Sequence, residues 1–299
     1  MPVYSHSRLS AFENCPLQYR YRYIDKIKRE VEGIEAFVGK LAHEVLQALY
    51  SDLVRARSAG AGAYKEMFRA LWRERLTPKV RIVREEMTAE DYGALGERCV
   101  ETYYNRNHPF DSGEVVGCET RVEFALDGQK RYKILGFIDR IDRVAPGVYE
   151  VHDYKTGSLP RAGALRNDRQ LTLYEIAVRE RYTGVNEVRQ VWHFLAHDKT
   201  FVERRTQDDL ARTRLSAIRS IQNIEATTEF TPRRSALCSW CEYKEICPEW
   251  EAERQVATSA AQTPSAVPPP QMPPDKSFDT PPAMETSSGQ FLLFGKSSP

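Results

Sequence analysis

The stretch VYEVHDYKTG, residues 148–157, decides the fold prediction because it joins a strand-like pattern to a charged end. Alternate residues of a β-strand project from the same face of a sheet. Tyr149, Val151, Asp153 and Lys155 should therefore share one face, with the aspartate and the lysine side by side just before a glycine. A D-x-K triplet of this kind is typical either of a structural ion pair or of a catalytic site.

The preceding segment, GFIDRID, places Asp139 between Phe137 and Ile141 on an otherwise apolar strand face. A carboxylate in such a position is costly unless it is paired or binds a metal. Asp139 and Asp153 on neighbouring strands can together hold a hard divalent cation such as Mg²⁺ through oxygen ligands. Lys155 could then neutralise charge on a phosphate or help to deprotonate a water molecule.

The segments around this pair predict an α/β fold. VVGCETRVEFAL, YKILGFIDRIDRV, VYEVHDYK and VRQVWHFLA are rich in β-branched residues, and short turn-like gaps between the first three predict an antiparallel meander. FVGKLAHEVLQALYSDLVRAR has the apolar spacing of a helix. NDRQLTLYEIAVRERY predicts a second helix, with Asn167 or Asp168 as its N-cap. Together they predict a sheet with helical material on either side.

Composition excludes some classes of protein and leaves the function to local sites. The chain has 299 residues, 41% hydrophobic and 28% charged, with no apolar run long enough to span a membrane. Its start does not resemble a secretory signal, and six cysteines in such a chain favour a reducing, cytoplasmic compartment. Because the net charge is only +1, binding to nucleic acid would have to depend on particular sites.

Further polar residues accompany the acidic pair, and each has an ordinary alternative role. His43 lies in the helical segment, where a lone histidine is more often structural than a ligand. Gln170 and Tyr174 are four residues apart on one helix face, where they could contact DNA, orient a metal site or form a plain polar surface. Glu119 and Glu123, on the first predicted strand, are possible extra acids but are expected to be exposed strand residues.

These residues fall into four motifs that resemble, in their order, the PD-(D/E)XK nuclease superfamily. The motifs are G-x-x-x-H (Gly39 to His43), G-x-x-D-R-x-D (Gly136 to Asp142), D-Y-K (Asp153 to Lys155) and Q-x-x-x-Y (Gln170 to Tyr174). More narrowly they resemble the RecB-like branch, with its RecB- and AddB-type nuclease domains and CRISPR-associated RecB-like exonucleases. The resemblance covers roughly residues 5–250 and implies a restriction-endonuclease-like core, a mixed central sheet flanked by helices.

The resemblance also implies an activity and a set of roles. It implies a nuclease dependent on Mg²⁺ or Mn²⁺ that hydrolyses DNA phosphodiester bonds in repair or recombination, as an exonuclease on single strands or free ends. The implied catalytic residues are Lys155, Asp153, Asp139, Gln170 and Tyr174. The implied metal ligands are His43, Asp139, Asp153 and the carbonyl group of Tyr154.

Three cysteines near the end of the predicted body form an incomplete metal site. Cys238, Cys241 and Cys247 lie within ten positions, whereas tetrahedral zinc and iron–sulfur clusters usually need four ligands. Resemblance to the iron–sulfur members of the branch implies that Cys15 is the fourth and that the site holds a [4Fe–4S] cluster, joining the N- and C-terminal segments. Ligand chemistry alone would favour zinc.

The composition changes after the cysteines. Nine of the seventeen prolines fall in residues 255–299, which predicts a disordered tail after a nuclease domain at 1–254. Within the tail, QFLLF at 290–294 resembles the pentapeptide by which bacterial replication and repair proteins bind the sliding clamp. The matching residues are Gln290, Phe291, Leu293 and Phe294. The alternative is an apolar chain end with no partner.

Three rival functions remain open on the sequence. One is a CRISPR-associated nuclease that acts in spacer acquisition, against which the clamp-like tail argues. Another is a non-catalytic DNA-binding adaptor, although a decayed site should have lost one of His43, Asp139, Asp153 and Lys155. The third is a zinc-stapled protein whose acids only form ion pairs.

Overall fold

The computed structural model describes residues 2–57, 59–84, 86–251 and 253. The α-helices of this part of the chain are α1 (His6–Asn14), α2 (Pro16–Tyr19), α3 (Ile34–Val54), α4 (Ala61–Arg75), α5 (Ala89–Asn107), α6 (Arg169–Arg181) and α7 (Gln207–Ala226). Its strands are β1 (Val3–Tyr4), β2 (Glu32–Gly33), β3 (Val80–Arg81), β4 (Glu114–Ala125), β5 (Lys133–Ala145), β6 (Val148–Lys155), β7 (Glu187–Phe194) and β8 (Lys199–Arg204). The clamp-like residues at 290–294 lie outside the described residues.

A six-stranded mixed sheet forms the centre of the fold. β4, β5 and β6 are antiparallel neighbours, which confirms the predicted meander. β7 is parallel to β6 because α6 crosses between them, and β8 then returns antiparallel to β7. The short β1 pairs with the start of β5 on the edge that β6 occupies further along. The predicted mixed sheet is therefore confirmed.

Two hydrophobic cores pack against the sheet, one on each face. The first joins α1, α6 and α7 to the strands and includes Leu9, Leu171, Ile221 and Val151. The second joins α3, α4 and α5 and includes Leu41, Phe68, Val100 and Tyr154. The sheet is thus flanked by helices, as the sequence predicts. No helix among the described residues has the length and apolar character of a membrane span.

The apolar stripe of α3 fixes how this helix faces the sheet. Val38, Leu41, Val45 and Leu49 are each at most 1% exposed, which confirms the helical period read from the sequence. Packing of this stripe sets the rotation of α3 about its axis. It thereby sets the direction in which His43 leaves the helix.

The face of β5 around Asp139 differs from the prediction. Ile141 is fully buried, but Phe137 is 50% exposed, so the face is not uniformly apolar. Asp139 lies between them at the margin of the covered part of the strand, with its side chain 11% exposed. The fully buried charges of β5 are instead Arg140 and Asp142.

The segment that carries the three clustered cysteines packs against the N-terminal region. The Tyr243 hydroxyl donates a hydrogen bond to the carbonyl of Ile27 at 3.1 Å. Arg22 forms an ion pair with Glu242, and Nε of Arg29 donates to the Glu242 carbonyl at 3.3 Å. The two ends of the body are therefore joined by protein contacts.

Candidate active site

His43, Asp139 and Tyr154 meet where α3 crosses the end of β6. Nε2 of His43 lies 2.7 Å from the carbonyl oxygen of Tyr154, and the Tyr154 N–H donates to Oδ2 of Asp139 at 2.9 Å. Nδ1 of His43 is 3.4 Å from the same carboxylate oxygen. A neutral His43 that donates through Nε2 presents an Nδ1 lone pair to a carboxylate, an arrangement that suits a cation. The Tyr154 carbonyl, predicted as a ligand, here accepts the histidine's hydrogen bond.

Glu119 joins this group, although the sequence suggested an exposed strand residue. One ligand atom each from His43, Glu119 and Asp139 lies within 4.8 Å of the other two, the one such set of three among the described residues. Glu119 is half-buried and has a left-handed φ of +43°. Backbone strain of this kind often accompanies functional sites. Burial and the neighbouring Asp139 raise the pKa of Glu119, against the opposing effect of His43.

The strand register explains why Glu119 was missed. β4 and β5 pair Cys118 with Arg140 and Thr120 with Ile138, which puts Glu119 level with Asp139. The register between two strands cannot be read from the sequence, so Glu119 and Glu123 appeared equivalent as candidate acids. Glu123 is exposed, as predicted, and pairs with Arg121 at 2.7 Å.

Asp153 and Lys155 form an ion pair beside these three residues. Nζ of Lys155 lies 2.7 Å from Oδ2 of Asp153, whose side chain is only 2% exposed. Burial raises the pKa of Asp153 to about 7, Lys155 opposes that rise, and Asp139 adds to it. For Lys155, burial acts to lower the pKa, but Asp153 and other nearby carboxylates turn the net shift upward. The structure thus places both predicted acids and the lysine in one cluster.

Gln170 and Tyr174, at the start of α6, form a polar chain that ends on the lysine. Asp168 caps the helix by accepting the N–H of Leu171 at 2.9 Å, as predicted. Lys155 Nζ donates to Oε1 of Gln170 at 3.1 Å, and Gln170 Nε2 donates to the Tyr174 hydroxyl at 3.5 Å. Of the roles considered for this pair, the geometry favours orientation of the site, through the lysine.

Two glycines allow the surrounding elements to approach. A Cβ atom at Gly136 would lie 2.5 Å from Cε1 of Tyr174, so only glycine lets α6 pack this closely on β5. A Cβ at Gly39 would lie 3.0 Å from Oγ1 of Thr156, where α3 meets the loop after β6. Beside His43 and Glu119 opens a cavity of about 660 Å³. The site can therefore admit a substrate.

The four predicted cluster cysteines line a second cavity, of about 430 Å³. Backbone N–H groups point at two of the sulfurs, from Arg233 to Cys15 at 3.4 Å and from Ser235 to Cys238 at 3.3 Å. Burial raises the pKa of Cys241 and of Cys247. All six cysteines of the chain are free thiols. A common cavity with donors aimed at sulfur fits a thiolate-bound group.

A sequence model of the PD-(D/E)XK nuclease superfamily matches residues 3–248. The chain belongs to this superfamily. The PD-(D/E)XK match covers both the open acidic site and the cysteine segment. As a member the protein is a nuclease, and nucleases of this superfamily use divalent metals, for which the set of His43, Glu119 and Asp139 provides ligands.

Two solved structures are similar to this PD-(D/E)XK chain. A provisionally named exonuclease from Eubacterium rectale is 14% identical, with 79% of this chain and 86% of that chain covered and a TM-score of 0.46. The protein SSO0001 is also 14% identical, with 81% and 95% covered and a TM-score of 0.35. None of the curated proteins matches the sequence significantly.

Proposed function

We propose that the protein is a metal-dependent deoxyribonuclease of the RecB-like branch, acting as an exonuclease on single strands or free ends in repair or recombination. The observation that carries the proposal is the convergence of His43, Glu119 and Asp139 within 4.8 Å, next to the Asp153–Lys155 pair. Two carboxylates and one histidine nitrogen at this spacing offer three ligand atoms to one cation, which a set of structural ion pairs would not require. The arrangement favours catalysis over a set of structural ion pairs and over a decayed adaptor.

Each residue has a role that follows from its contacts. His43, Glu119, Asp139 and Asp153 would hold one or two divalent ions, Mg²⁺ or Mn²⁺, with the Tyr154 carbonyl as a further oxygen. When bound, such ions supply Lewis-acid stabilisation of the phosphate and a lowered pKa for the attacking water.

Lys155 adds a fixed positive charge beside the phosphate. It is oriented by Asp153 and Gln170, and Tyr174 supports that glutamine. Charge held ready in this way stabilises a transition state without reorganisation during the reaction.

A groove lies next to the 660 Å³ cavity beside His43 and Glu119, which we call the catalytic cavity. This groove supports a single-stranded substrate. A cavity of about 470 Å³ shares Ala36 with the catalytic cavity. It is lined by three arginines, three glutamates and Trp240, which is 40% exposed: Arg22, Arg29, Arg81, Glu30, Glu32 and Glu242. Unpaired bases stack on aromatic rings while basic groups contact the phosphates. A strand leaving the acidic site would follow this groove.

The decisive experiment compares two glutamates of the same strand. Glu119→Gln and Asp139→Asn should each lower Mn²⁺-dependent digestion of end-labelled single-stranded DNA by about 10²-fold or more, because each removes a ligand. Glu123→Gln is the matched control and should retain the wild-type rate. Wild-type protein that digests no DNA with either ion, or digestion that persists in Asp139→Asn, would reject the proposal. Labelling the 5′ or the 3′ end in turn separates exonuclease from endonuclease products.

For the cysteine cavity we propose a [4Fe–4S] cluster held by Cys15, Cys238, Cys241 and Cys247. The four cysteines line one cavity, and four thiolates are the usual ligand set of such a cluster. The preference for iron–sulfur over zinc rests on the resemblance to the iron–sulfur members of the branch. Free thiols and such a cluster also suit a reducing, cytoplasmic compartment.

The test of the cluster is purification without oxygen. Iron, sulfide and a broad visible absorbance band should accompany the wild-type protein and be lost in Cys241→Ser. The matched control is Cys99→Ser, since Cys99 is buried among helices away from the cavity. A colourless protein with stoichiometric zinc would contradict the cluster and leave the nuclease proposal standing.

We also propose that QFLLF, residues 290–294, binds the bacterial sliding clamp and thereby recruits the nuclease to DNA. The proline-rich segment before it would act as a tether that raises the local nuclease concentration. Replacement of Gln290, Leu293 and Phe294 by alanine should abolish clamp binding and leave digestion of free DNA unchanged. Unchanged clamp binding would reject the motif and reopen the CRISPR-associated alternative.

A further inference from the structure

A second polar cluster, fully enclosed, lies beside the open acidic site. Arg140, Asp142 and His152 are each 3% exposed, and His193 is 6% exposed. None of them lines the catalytic cavity. We name these four residues the buried network. They lie on β5, β6 and β7, and the acidic site uses other residues of the first two strands.

Arg140 is the centre of the buried network. Its Nη1 lies 2.6 Å from the Tyr103 hydroxyl and 2.9 Å from the Tyr154 hydroxyl. Its Nη2 is 2.9 Å from Nδ1 of His152, and its Nε is 3.1 Å from Oδ1 of Asp142. The guanidinium therefore has partners in three directions.

Burial of a full positive charge costs free energy, so the presence of Arg140 in the core has to be explained. Hydrophobic residues of similar volume are often as stabilising as a buried ion pair, so stability alone does not account for this arginine. The hydrogen bonds of Nη1 and Nη2 hold the surrounding side chains in one arrangement, while Nε of Arg140 and Oδ1 of Asp142 are in ion-pair contact without a hydrogen bond. The groups that Arg140 holds should therefore be ones whose position matters.

Tyr154 connects the buried network to the acidic site. Its hydroxyl is held by Arg140, while its carbonyl accepts from His43 and its N–H donates to Asp139. The tyrosine thus has its ring end in the network and its backbone between two candidate metal ligands. Arg140 itself directly follows Asp139 along β5.

We propose that Arg140 is a positioning residue that fixes the backbone of Tyr154 and the carboxylate of Asp139 in the geometry that binds the divalent ion. Its guanidinium joins the side chains of β5 and β6 at the level where these strands present their acids. The inference rests on the proposed metal-dependent function. Residues that orient metal ligands typically contribute about 10–100-fold to metal affinity.

The test uses two mild substitutions and measures Mn²⁺ binding without DNA. Tyr154→Phe removes only the hydroxyl that Arg140 contacts, and Arg140→Lys keeps the charge but not the fork of donors. Each should raise the Mn²⁺ dissociation constant, measured by electron paramagnetic resonance of free Mn²⁺, about tenfold. As the Mn²⁺ concentration rises, the cleavage deficit of Tyr154→Phe should become smaller, because the change acts on metal affinity.

Tyr104→Phe is the matched control. It also removes a buried tyrosine hydroxyl from the same core, one that donates to the carbonyl of Ala59 at 3.0 Å. It should lower thermal stability about as much as Tyr154→Phe and leave Mn²⁺ binding unchanged. A metal affinity that falls equally in both variants would mean that general loosening is the cause, and would overturn the inference.

Two further outcomes separate this inference from the proposed function. If Asp139→Asn abolishes Mn²⁺ binding while Tyr154→Phe and Arg140→Lys keep the wild-type dissociation constant, the positioning role is wrong and the nuclease proposal stands. If the wild-type protein itself binds no Mn²⁺ and digests no DNA, the proposed function fails, and this inference fails with it.

Discussion

The open acidic site and the buried network share strands β5 and β6 but compensate their charges differently. In the acidic site, Glu119 and Asp139 lie within 4.8 Å of His43, Asp153 is buried beside Asp139, and Glu119 lines a cavity. In the buried network, Asp142 instead meets Arg140 at 3.1 Å and His152 at 3.2 Å. The first cluster has three carboxylates beside one lysine, whereas in the second the one carboxylate is paired with an arginine.

The pKa directions of the acids express this difference. Burial and Asp139 raise the pKa of Glu119, so folding makes its negative charge less favourable. Burial acts on Asp142 in the same direction, but hydrogen bonds and charge from His152 and Arg140 reverse it and lower its pKa. The comparison teaches that burial alone does not mark a functional acid; an acid left short of partners at a cavity does.

The largest expected effect is on the stability of the buried network. Arg140→Met should lower the free energy of unfolding by about 3–5 kcal/mol, because it leaves the buried charge of Asp142 uncompensated. Arg121→Met, on the neighbouring strand, removes a guanidinium whose side chain is 58% exposed, and should cost less than about 1 kcal/mol. Urea titration of both variants measures the difference. Equal losses would remove the distinction between the two clusters.

The next effect concerns rate and not stability. Lys155→Met should lower the cleavage rate at saturating Mn²⁺ by about 10²–10³-fold, because a preorganised charge at the phosphate is lost. Its free energy of unfolding should change far less than that of Arg140→Met. Lys133→Met, which removes a half-exposed lysine of β5, serves as the control for loss of a charge. A Lys155→Met protein that cleaves within tenfold of wild type would place the lysine outside the catalytic machinery.

The smallest effect is a pH dependence with opposite signs in the two clusters. The pKa of Asp153 is raised to about 7, so its favourable contribution is present at low pH and is lost as pH rises through 7. Metal-free Asp153→Asn has no carboxyl group to ionise, so its stability relative to wild type should rise between pH 4 and pH 8. A stability difference that does not depend on pH would contradict the raised pKa.

The stability contribution of the two histidines of the buried network should depend on pH in the opposite direction to that of Asp153. Burial lowers the pKa of His152 and of His193, with further lowering by Arg140. Their contribution to stability is therefore present above the ordinary histidine pKa of about 6.5 and is lost as pH falls below it. Urea titrations of the wild-type protein at pH 8, 6 and 5 measure this loss.

Much of this arrangement follows from local sequence, and the rest depends on register and burial. The period of α3 and the alternation of β6 predicted which elements carry His43, Asp153 and Lys155. The role of Glu119 could not be predicted, because it depends on which residue of β4 lies opposite Asp139. Arg140 was missed for a related reason: a charged strand residue looks exposed until its tyrosine partners, contributed by α3 and α5, are known.

The acidic site and the cysteine cavity differ in how much of the chain must be synthesised before each can form. The lysine and its glutamine partner are 15 residues apart, joined by the loop that follows β6. The N–H of Arg233 reaches Cys15 across 218 residues. During synthesis the catalytic strands and α6 leave the ribosome well before the closing segment, so a chain that stops short of residue 233 carries the acids and the lysine but never unites its cysteines. The cysteine cavity can therefore be completed only after the chain has been translated beyond its last clustered cysteine, Cys247.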